Sequence, residues 1–287
     1  GAAGQQVITQ HSERLAIDWQ QFSLAAGERT EFRQPGASSV ALNRVIGGAA
    51  SEIHGQIVAN GQVFLVNPQG VLFGRTAQVD VGGLVASTLD LPADDFMAGK
   101  STFTASGSGG IENQGRLTAA DGGYVALIGA QAVNSGSVQA HRGTVALAAG
   151  EQVSLKFDTD SLVAVTVDRA ALDALVDNRQ ALRADGGTVL MTARARDALL
   201  DTVVNNDGVI EADTVGEHAG VILLGGGDAG MVASRGALHA RGDAGSGQGG
   251  RVEITGQRIA LTHAADIDVS GEHGGGRVNI GGSREGQ

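Results

Sequence analysis

Few side chains of this chain have the types and spacing that catalysis or metal binding requires. The 287 residues include no cysteine, which excludes a disulfide framework and any Cys-based metal site or nucleophile. The seven histidines are scattered, without a pair at i, i+4 and without a neighbouring Ser/Asp constellation. Asp158 and Asp160 could form a metal pair, although solvated residues of a hairpin are the simpler interpretation. We therefore expect no catalytic residue, no metal site and no cofactor.

One tripeptide has the letters of a binding motif. Arg241, Gly242 and Asp243 spell an integrin-binding tripeptide within a glycine-rich stretch. Short motifs recur by chance, and a low-complexity stretch adds to that risk. A speculative integrin-type site and a chance occurrence therefore both stay open from the sequence.

The most distinctive turn residues lie in the first third of the chain. Asn67, Pro68, Gln69 and Gly70 predict a type I turn, in which Asn caps the first position, Pro presets φ and Gly closes the turn. Asn43 precedes them in the same glycine- and asparagine-rich region. These five residues are either read by a binding partner or needed only for the fold, and the sequence leaves both interpretations open.

A repeated architecture must position these residues. Six near-identical phrases, each a Gly followed by a short apolar strand, begin at Gly123, Gly143, Gly187, Gly220, Gly250 and Gly276. A second phrase of apolar residues around an Asn/Gly turn recurs at Val133, Val204 and Val232. Such an alternation of strand and turn is typical of a solenoid, so we predict an all-β fold of stacked parallel coils.

The spacing of the glycine phrases indicates the size of one coil. Subtracting their first positions gives steps of 20, 44, 33, 30 and 26 residues. At about 3.3 Å per extended residue, a coil of about 20 residues closes a loop of three short strands. The step of 44 is either two coils or one coil with an insertion.

The composition agrees with a thin aliphatic interior, and the charge argues against some classes of binding partner. Gly occurs 46 times, against roughly 20 expected from average usage, whereas aromatic residues make up only 3%. The net charge is −11 and no basic block appears, which argues against nucleic acid and for a separate, monomeric particle. The sequence contains no run of 18 apolar residues, so it predicts no membrane-spanning helix.

The chain has two characters along its length. All nine aromatic residues lie at or before Phe157, and all three prolines lie before residue 93. Residues 6–34 are irregular enough to form a cap, with Trp19 and Phe22 covering the first coil. Residues 157–167 read as a hairpin with an Asp/Ser turn. Residues 168–178 read as a short helix outside the coils, because Leu172, Leu175 and Val176 share one helical face.

We accordingly divide the chain into three parts. Residues 1–155 form the capped first part, 156–182 the extra-helical hairpin and short helix, and 183–287 further repeats. The last phrase is still repeat, so we expect the natural protein to continue past Gln287. Asn113, Asn134 and Asn205 stand at similar positions before Gly and predict a stacked Asn ladder or turn.

Several blocks in order resemble the secretion domain of two-partner secretion exoproteins, the filamentous haemagglutinin-type or haemagglutination activity domain. The segment from Ile17, with Trp19 and Phe22, looks like the family's early Trp/Phe motif, and the segment from Gln34 to Val45 looks like its next block. The turn at 67–70 matches the signature Asn-Pro-Xaa-Gly, with Gln where Asn is common. Residues 5–155 match well, and residues 156–213 look like an extension of large proteobacterial members.

The resemblance implies a right-handed parallel β-helix and a function in export. It implies an exoprotein of a Gram-negative bacterium that enters the periplasm unfolded and binds the POTRA domains of a dedicated outer-membrane transporter. The chain then reaches the cell surface or the medium and folds there coil by coil. Asn43 and the four turn residues become candidates for transporter recognition or folding. Through the full-length protein, an adhesin-like exoprotein could also bind host receptors or glycans.

Two rival functions share the expected fold. Parallel β-helices also include polysaccharide-degrading enzymes, which need clustered carboxylates and aromatic sugar platforms along one groove. The second half of this chain has no aromatic residue and no carboxylate cluster that repeats on one face, so we do not expect an enzyme. A purely adhesive module that binds host glycans is the other alternative. Fold alone does not choose among these functions.

Overall fold

The chain folds as a parallel β-helix of three sheets, which confirms the predicted architecture. The computed structural model describes residues 4–158, 161–196, 202–242 and 247–281. Two residues singled out from the sequence, Asp160 and Asp243, lie outside these ranges. In the described ranges, no helix has the length and apolar character to cross a membrane.

The three sheets run along the stack, and each coil between the first and the last contributes one strand to each of them. Sheet 1 contains β1 (Gln5–Thr9), β3 (Arg29–Arg33), β6 (Gln56–Ala59), β9 (Gln78–Ser87), β13 (Arg116–Gly129), β15 (Ser137–Ala140), β20 (Ala181–Arg183), β23 (Val209–Glu211), β26 (Ala237–His239) and β29 (Asp266–Asp268). Sheet 2 contains β2 (Arg14–Trp19), β4 (Val40–Val45), β7 (Gln62–Val66), the second halves of β9 and β13, β16 (Thr144–Ala149), β21 (Thr188–Ala193), β24 (Val221–Gly225), β27 (Arg251–Thr255) and β30 (Arg277–Ile280). Sheet 3 contains β5 (Ser51–Ile53), β8 (Val71–Phe73), β12 (Ile111–Asn113), β14 (Gln131–Asn134), β19 (Leu175–Asn178), β22 (Thr202–Asn206), β25 (Met231–Ser234) and β28 (Arg258–Leu261).

The register of sheet 2 confirms the repeat seen in the sequence. Tyr124 pairs with Thr144, and Thr144 pairs directly with Thr188. The long step between these phrases is therefore one coil with an insertion. The remaining phrases follow in order, because Thr188 pairs with Val221 and Val221 with Arg251.

The first glycine of each phrase permits a close approach between successive coils. A Cβ on Gly143 would lie 1.8 Å from the carbonyl oxygen of Gly123, and a Cβ on Gly276 would lie 1.9 Å from that of Gly250. No side chain fits at such distances, so the recurring glycine is a steric requirement of the stack.

The column inside the three sheets consists of stacked aliphatic side chains. Val125 and Leu127 in one coil and Val145 and Leu147 in the next are completely buried. Alternate residues of each strand point inward, so apolar side chains stack directly on those of the coil below. At an order of 25 cal/mol per Å² of apolar surface removed from water, this column supplies the main driving force for folding.

A fourth sheet, the extra-helical sheet, lies outside the column and covers part of sheet 2. Its antiparallel strands are β10 (Leu89–Asp90), β11 (Thr102–Ala105), β17 (Gln152–Asp158) and β18 (Ser161–Arg169), and helix α1 (Ala93–Met97) lies between β10 and β11. A second core fills the space between this extra-helical sheet and sheet 2. Its members include Leu42, Phe64, Val85, Ala126 and Ala146 below and Leu91, Phe96, Phe103, Val153 and Leu162 above.

The predicted hairpin is confirmed, but the predicted helix at 168–178 is wrong. Residues 175–178 are strand β19, in which Val176 is buried in the main column between Ala132 and Val204. Leu172, expected on the buried helical face, is 66% exposed. Parallel pairing on both sides of β19 outweighs the weak helical preference of this segment. The short helix that does form lies at 93–97, in a segment that the sequence analysis left unassigned.

The N-terminal residues form a first coil that covers the end of the column. β1 pairs in parallel with β3, and β2 pairs in parallel with β4. Phe22 is buried in the column, and Trp19 packs against it from the end of β2. The cap is therefore more regular than the sequence suggested.

Candidate functional site

The turn at residues 67–70 has the geometry that its sequence predicts. The Gly70 amide donates to the Asn67 carbonyl oxygen at 3.1 Å, and the Gln69 amide donates to the Asn67 Oδ1 at 3.0 Å. Gly70 has a φ of 131°, which favours glycine. The Asn side chain thus caps its own turn, and Gly continues the chain into β8.

The same turn is held by the coils on either side of it. The Asn67 amide nitrogen donates to the Ala49 carbonyl oxygen and to the Ser51 Oγ, both at 3.0 Å. On the opposite side, the Gly109 amide donates to the Pro68 carbonyl oxygen at 3.1 Å. A Cβ on Gly109 would lie 2.3 Å from the Gly70 nitrogen, so the next coil also packs directly on this turn.

Burial separates the four turn residues into two groups. Asn67 is completely buried and Gly70 is also buried, whereas Pro68 is half-buried and Gln69 is exposed. In the folded protein, only Gln69 presents its whole side chain to a partner. Asn67 and Gly70 are accessible to a partner only before the coils close.

Asn43 joins the first coil to the second. Its Oδ1 accepts a hydrogen bond from the Trp19 Nε1 at 3.0 Å, and its amide nitrogen donates to the Ala41 and Phe64 carbonyl oxygens at 3.3 Å. The Trp19 and Phe22 rings meet edge to face, with centroids 5.3 Å apart. Asn43 is completely buried, so it acts inside the cap of the folded protein rather than on its surface.

A ladder of buried asparagines runs along sheet 3. The sequence analysis predicted such a ladder, but not all of its residues. The Asn113 amide donates to the Asn134 Oδ1 at 2.8 Å, Asn134 to Asn178 at 2.9 Å, and Asn178 to Asn206 at 2.8 Å. Asn205, which the sequence analysis placed in the ladder, instead donates to Asp177 Oδ1 at 2.8 Å. Adjacent strand residues face opposite sides of the sheet, and register selects Asn206.

Arg241 and Gly242, the two residues of the tripeptide that the structure describes, follow β26, far along the stack from the turn. The Arg241 Nη2 donates to Glu211 Oε1 and Asp213 Oδ2, both at 2.8 Å, and the Asp213 hydrogen bond raises the pKa of Arg241. Gly242 donates its amide to the Ser270 carbonyl oxygen at 2.7 Å. The integrin-type site stays an untested prediction, and these ion pairs do not favour it.

The structure brings together residues that the sequence analysis did not connect. Tyr124 is buried in the second core, donates its hydroxyl to the Gln62 Oε1, and has its ring centroid 5.2 Å from that of Phe157. The signal in the sequence was the concentration of aromatics at or before Phe157, which marks the coils that carry the second core. Within the described ranges, no three His, Asp or Glu residues form a group that could hold a metal ion.

Comparison with known proteins places this geometry in a family. Residues 3–244 match the TPS secretion domain, the secretion domain of two-partner secretion proteins. Two Haemophilus influenzae proteins named Heme/hemopexin-binding protein are similar, one 34% identical over 76% of this chain and the other 31% identical over 77%. The chain spans 24% and 26% of these relatives, about a quarter of their length.

Two solved structures are similar to this one. The HMW1 secretion domain of Haemophilus influenzae is 28% identical and superimposes with a TM-score of 0.86, covering 100% of this chain and 74% of that one. The filamentous hemagglutinin secretion domain, 13% identical, has a TM-score of 0.52 over 92% of this chain and 89% of that one, which supports the fold alone. From the residues matched and from a β-helix of this kind, the chain belongs to the TPS secretion domain family.

Proposed function

We propose that the POTRA domains of an outer-membrane transporter recognise this chain while it is unfolded, and that the β-helix forms only outside the cell. The broader function is that of the family, whose domains target large exoproteins for secretion with a partner transporter. TPS-domain proteins are secreted exoproteins that pass the outer membrane. This proposal adds that the transporter binds the chain in its unfolded state.

Burial of the signature residues is the observation that carries the proposal. Asn43 and Asn67 are completely buried, and every polar atom of their side-chain amides has a hydrogen-bond partner within the fold. A transporter that reads these residues must therefore meet them before folding. If Asn43 and Asn67 serve folding alone, replacing them impairs a later step, the closure of the coils after translocation.

Physical chemistry makes a late-folding chain suitable for such export. The stack is dominated by contacts between residues distant in sequence, which fold slowly. Extended, alternately apolar segments can add as strands to an exposed sheet edge of a partner domain. Once coils close outside, each buries apolar surface at about 25 cal/mol per Å², which opposes backward movement through the pore.

We further propose that this chain acts as a monomer and is not an enzyme. Seven of its nine aromatic side chains are buried, and the other two, Trp19 and Phe157, are half-buried. That arrangement offers no open aromatic platform for a sugar ring, which weighs against both a polysaccharide-degrading enzyme and a glycan-binding module. Binding of host receptors, of glycans, or of haem or hemopexin as in the names of the relatives is proposed only for the full-length exoprotein.

The test is a binding assay between the purified chain and the POTRA domains of its transporter. Chain diluted from urea should bind at least tenfold more tightly than chain that has refolded, because refolding buries the 67–70 turn. Equal affinity of the folded and unfolded chain contradicts the proposal.

Two variants separate recognition from folding. Asn67→Ala removes two hydrogen bonds to the preceding coil and should prevent release from cells. Asn205→Ala, at a half-buried asparagine outside the five candidates, is the matched control and should be secreted normally. If unfolded Asn67→Ala still binds the POTRA domains as the wild type does, Asn67 serves folding; if binding is lost, Asn67 is also a contact.

A further inference from the structure

A groove of about 560 Å³ lies on the outer face of sheet 2, beside the extra-helical sheet. Strand β18 forms one wall, and the outward-facing residues of β21 and β24 form the floor. The polar strand β27 closes the other side. None of the residues discussed for secretion lines this groove.

The floor continues the apolar row that the extra-helical sheet covers elsewhere. In the register of sheet 2, Ala146 is followed by Leu190, Leu223 and Glu253. Ala146 is buried in the second core, whereas Leu190 and Leu223 are only half-buried. The row becomes polar at Glu253, which pairs with Arg251 at 3.7 Å. Leu190 still packs against the second core, so the apolar surface extends one coil beyond its cover, to Leu223.

The wall of the groove is the edge of a sheet without a further strand. In the part of the chain that the structure describes, β18 pairs only with β17. Side chains cap two carbonyl oxygens of β18: Thr144 Oγ1 donates to Leu162 at 2.8 Å, and Arg194 Nη1 donates to Val167 at 3.2 Å. The edge at residues 163–165 faces the groove between these caps. Such an edge can accept another strand through main-chain hydrogen bonds.

An arginine in an unusual backbone conformation stands at one end of the groove. Arg142 has a φ of 53°, and among the described residues no other non-glycine residue has a positive φ. The coils on either side have glycine at this corner, Gly122 with φ 77° and Gly186 with φ 69°. Its guanidinium is exposed, and no residue of the described ranges forms an ion pair or hydrogen bond with it. A non-glycine residue in this conformation points to a functional use of its side chain.

We propose that this groove binds an extended peptide segment of a partner protein, which pairs with β18 and places a carboxylate against Arg142. Adjacent strands lie about 4.7–4.9 Å apart, so one added strand would cover the half-buried side chains of Leu190 and Leu223, which pair across β21 and β24. Arg142 places a positive charge at this end of the groove in a chain whose net charge is −11, whereas Arg251 is ion-paired with Glu253. The peptide that fits alternates apolar and polar residues and carries an acidic residue at the Arg142 end.

The proposal is tested with synthetic peptides and the complete chain. The probe is a fluorescein-labelled decapeptide of alternating Val and Thr with Asp at one end, and its matched control has Lys in place of Asp. Fluorescence anisotropy should show that the Asp peptide binds at least tenfold more tightly. No binding of the Asp peptide up to millimolar concentration, or equal binding of both peptides, would overturn the proposal.

Arg142→Gly separates binding from folding. Glycine adopts the positive φ without strain, so this variant should melt at a higher temperature and yet bind the Asp peptide at least tenfold more weakly. Arg75→Gly, at another exposed turn arginine away from the groove, is the control and should bind as the wild type does. Unchanged binding by a folded Arg142→Gly chain contradicts the carboxylate contact.

Strand addition has its own test. Val165 pairs with Leu155, whose amide bonds to Ser101 on the far side of β17, so the Val165 N–H faces the open edge of β18. Val165→Pro removes that N–H, so a folded variant with wild-type circular dichroism should lose peptide binding. Retained binding by that variant overturns strand addition. Sedimentation measures the state of the free chain: a dimer that Val165→Pro dissociates would assign the groove to a second copy and contradict the proposal.

Discussion

At the scale of single residues, burial decides what each polar side chain can do. Asn43 and Asn67 are polar, yet both lie inside the fold with their amides fully bonded. Charged residues that follow the strands of sheet 1 stack in the same way: the Asp213 backbone amide donates to Asp185 Oδ1 at 3.3 Å, and the Arg241 backbone amide donates to Asp213 Oδ1 at 2.7 Å. Stacking brings like charges together as well as opposite ones.

Asp185 predicts a pH dependence of stability. Burial raises the pKa of its carboxyl, so the folded state binds a proton more readily than the unfolded state does. Its charged form therefore costs stability at neutral pH, and that cost is relieved as the pH falls through the raised pKa. Asp185→Asn should raise the free energy of unfolding at pH 7 by roughly a few tenths of a kcal/mol and by nothing below pH ~3.5. Urea unfolding at several pH values measures this.

Asp207 is the control, because its pKa is shifted in the opposite direction to that of Asp185. A hydrogen bond from Arg235 lowers the pKa of Asp207, so its contribution is present above the pKa of the unfolded state and is lost as the pH falls through the lowered value. Asp207→Asn should therefore lower stability at pH 7. Equal effects of the two variants at pH 7 would show that neither pKa direction governs stability.

At the scale of elements, sheet 3 is held by side chains as well as by its backbone ladder. Each asparagine of the ladder donates to the asparagine or serine of the next coil, and the row ends at Ser234. Removing one buried partner leaves its neighbours unsatisfied, which costs more than a typical exposed hydrogen bond.

Asn178→Ala tests the ladder. Asn178 accepts from Asn134, donates to Asn206 and donates to the Gln180 carbonyl oxygen. We expect its replacement to lower the free energy of unfolding by about 2–4 kcal/mol, measured by urea denaturation. Asn205→Ala removes the half-buried neighbour that bonds to Asp177, and it should cost under about 1 kcal/mol. Comparable losses in the two variants would contradict a special role of the ladder.

At the scale of the whole molecule, two cores lie on the two sides of sheet 2. The main column follows chain order, coil on coil. The second core does not, because β11 pairs with β17, and residues 102–104 meet residues 152–154 across the one intervening coil, which contains β13. A chain that leaves a pore from its N-terminus would therefore stack its first coils before the cover of sheet 2 is complete.

Phe103→Ala probes the independence of the second core. Phe103 is completely buried there, and its loss should cost about 3–5 kcal/mol. Native-state hydrogen exchange should show protection falling first in β10, β11, β17 and β18. Leu127→Ala in the main column is the control, and it should lower protection first in β9, β13 and β16. A uniform fall after Phe103→Ala would mean that the two cores unfold as one.

Much of this architecture could be predicted because the same residue types recur at equivalent positions of successive coils. The glycine at 143 and its equivalents are required where one coil touches the next, and Asn67, Pro68 and Gly70 carry the chemistry of their turn locally. The segment 89–105 could not be assigned, because β10 is held only by β11, and β11 in turn pairs with residues 152–154, far along the chain. The peptide groove was hidden for the same reason, since β18 and β24 approach only in the folded stack.

By itself, the sequence determined the coil, its period, its aliphatic interior and the family to which it belongs. Tertiary structure alone decided which of two adjacent asparagines enters the ladder, that residues 175–178 form a strand rather than the end of a helix, and which signature residues are hidden. The physical reason is that side chains of a strand alternate between two faces, so a single step of register exchanges inside for outside. Register is set by pairing with the neighbouring coils, and that information is not local.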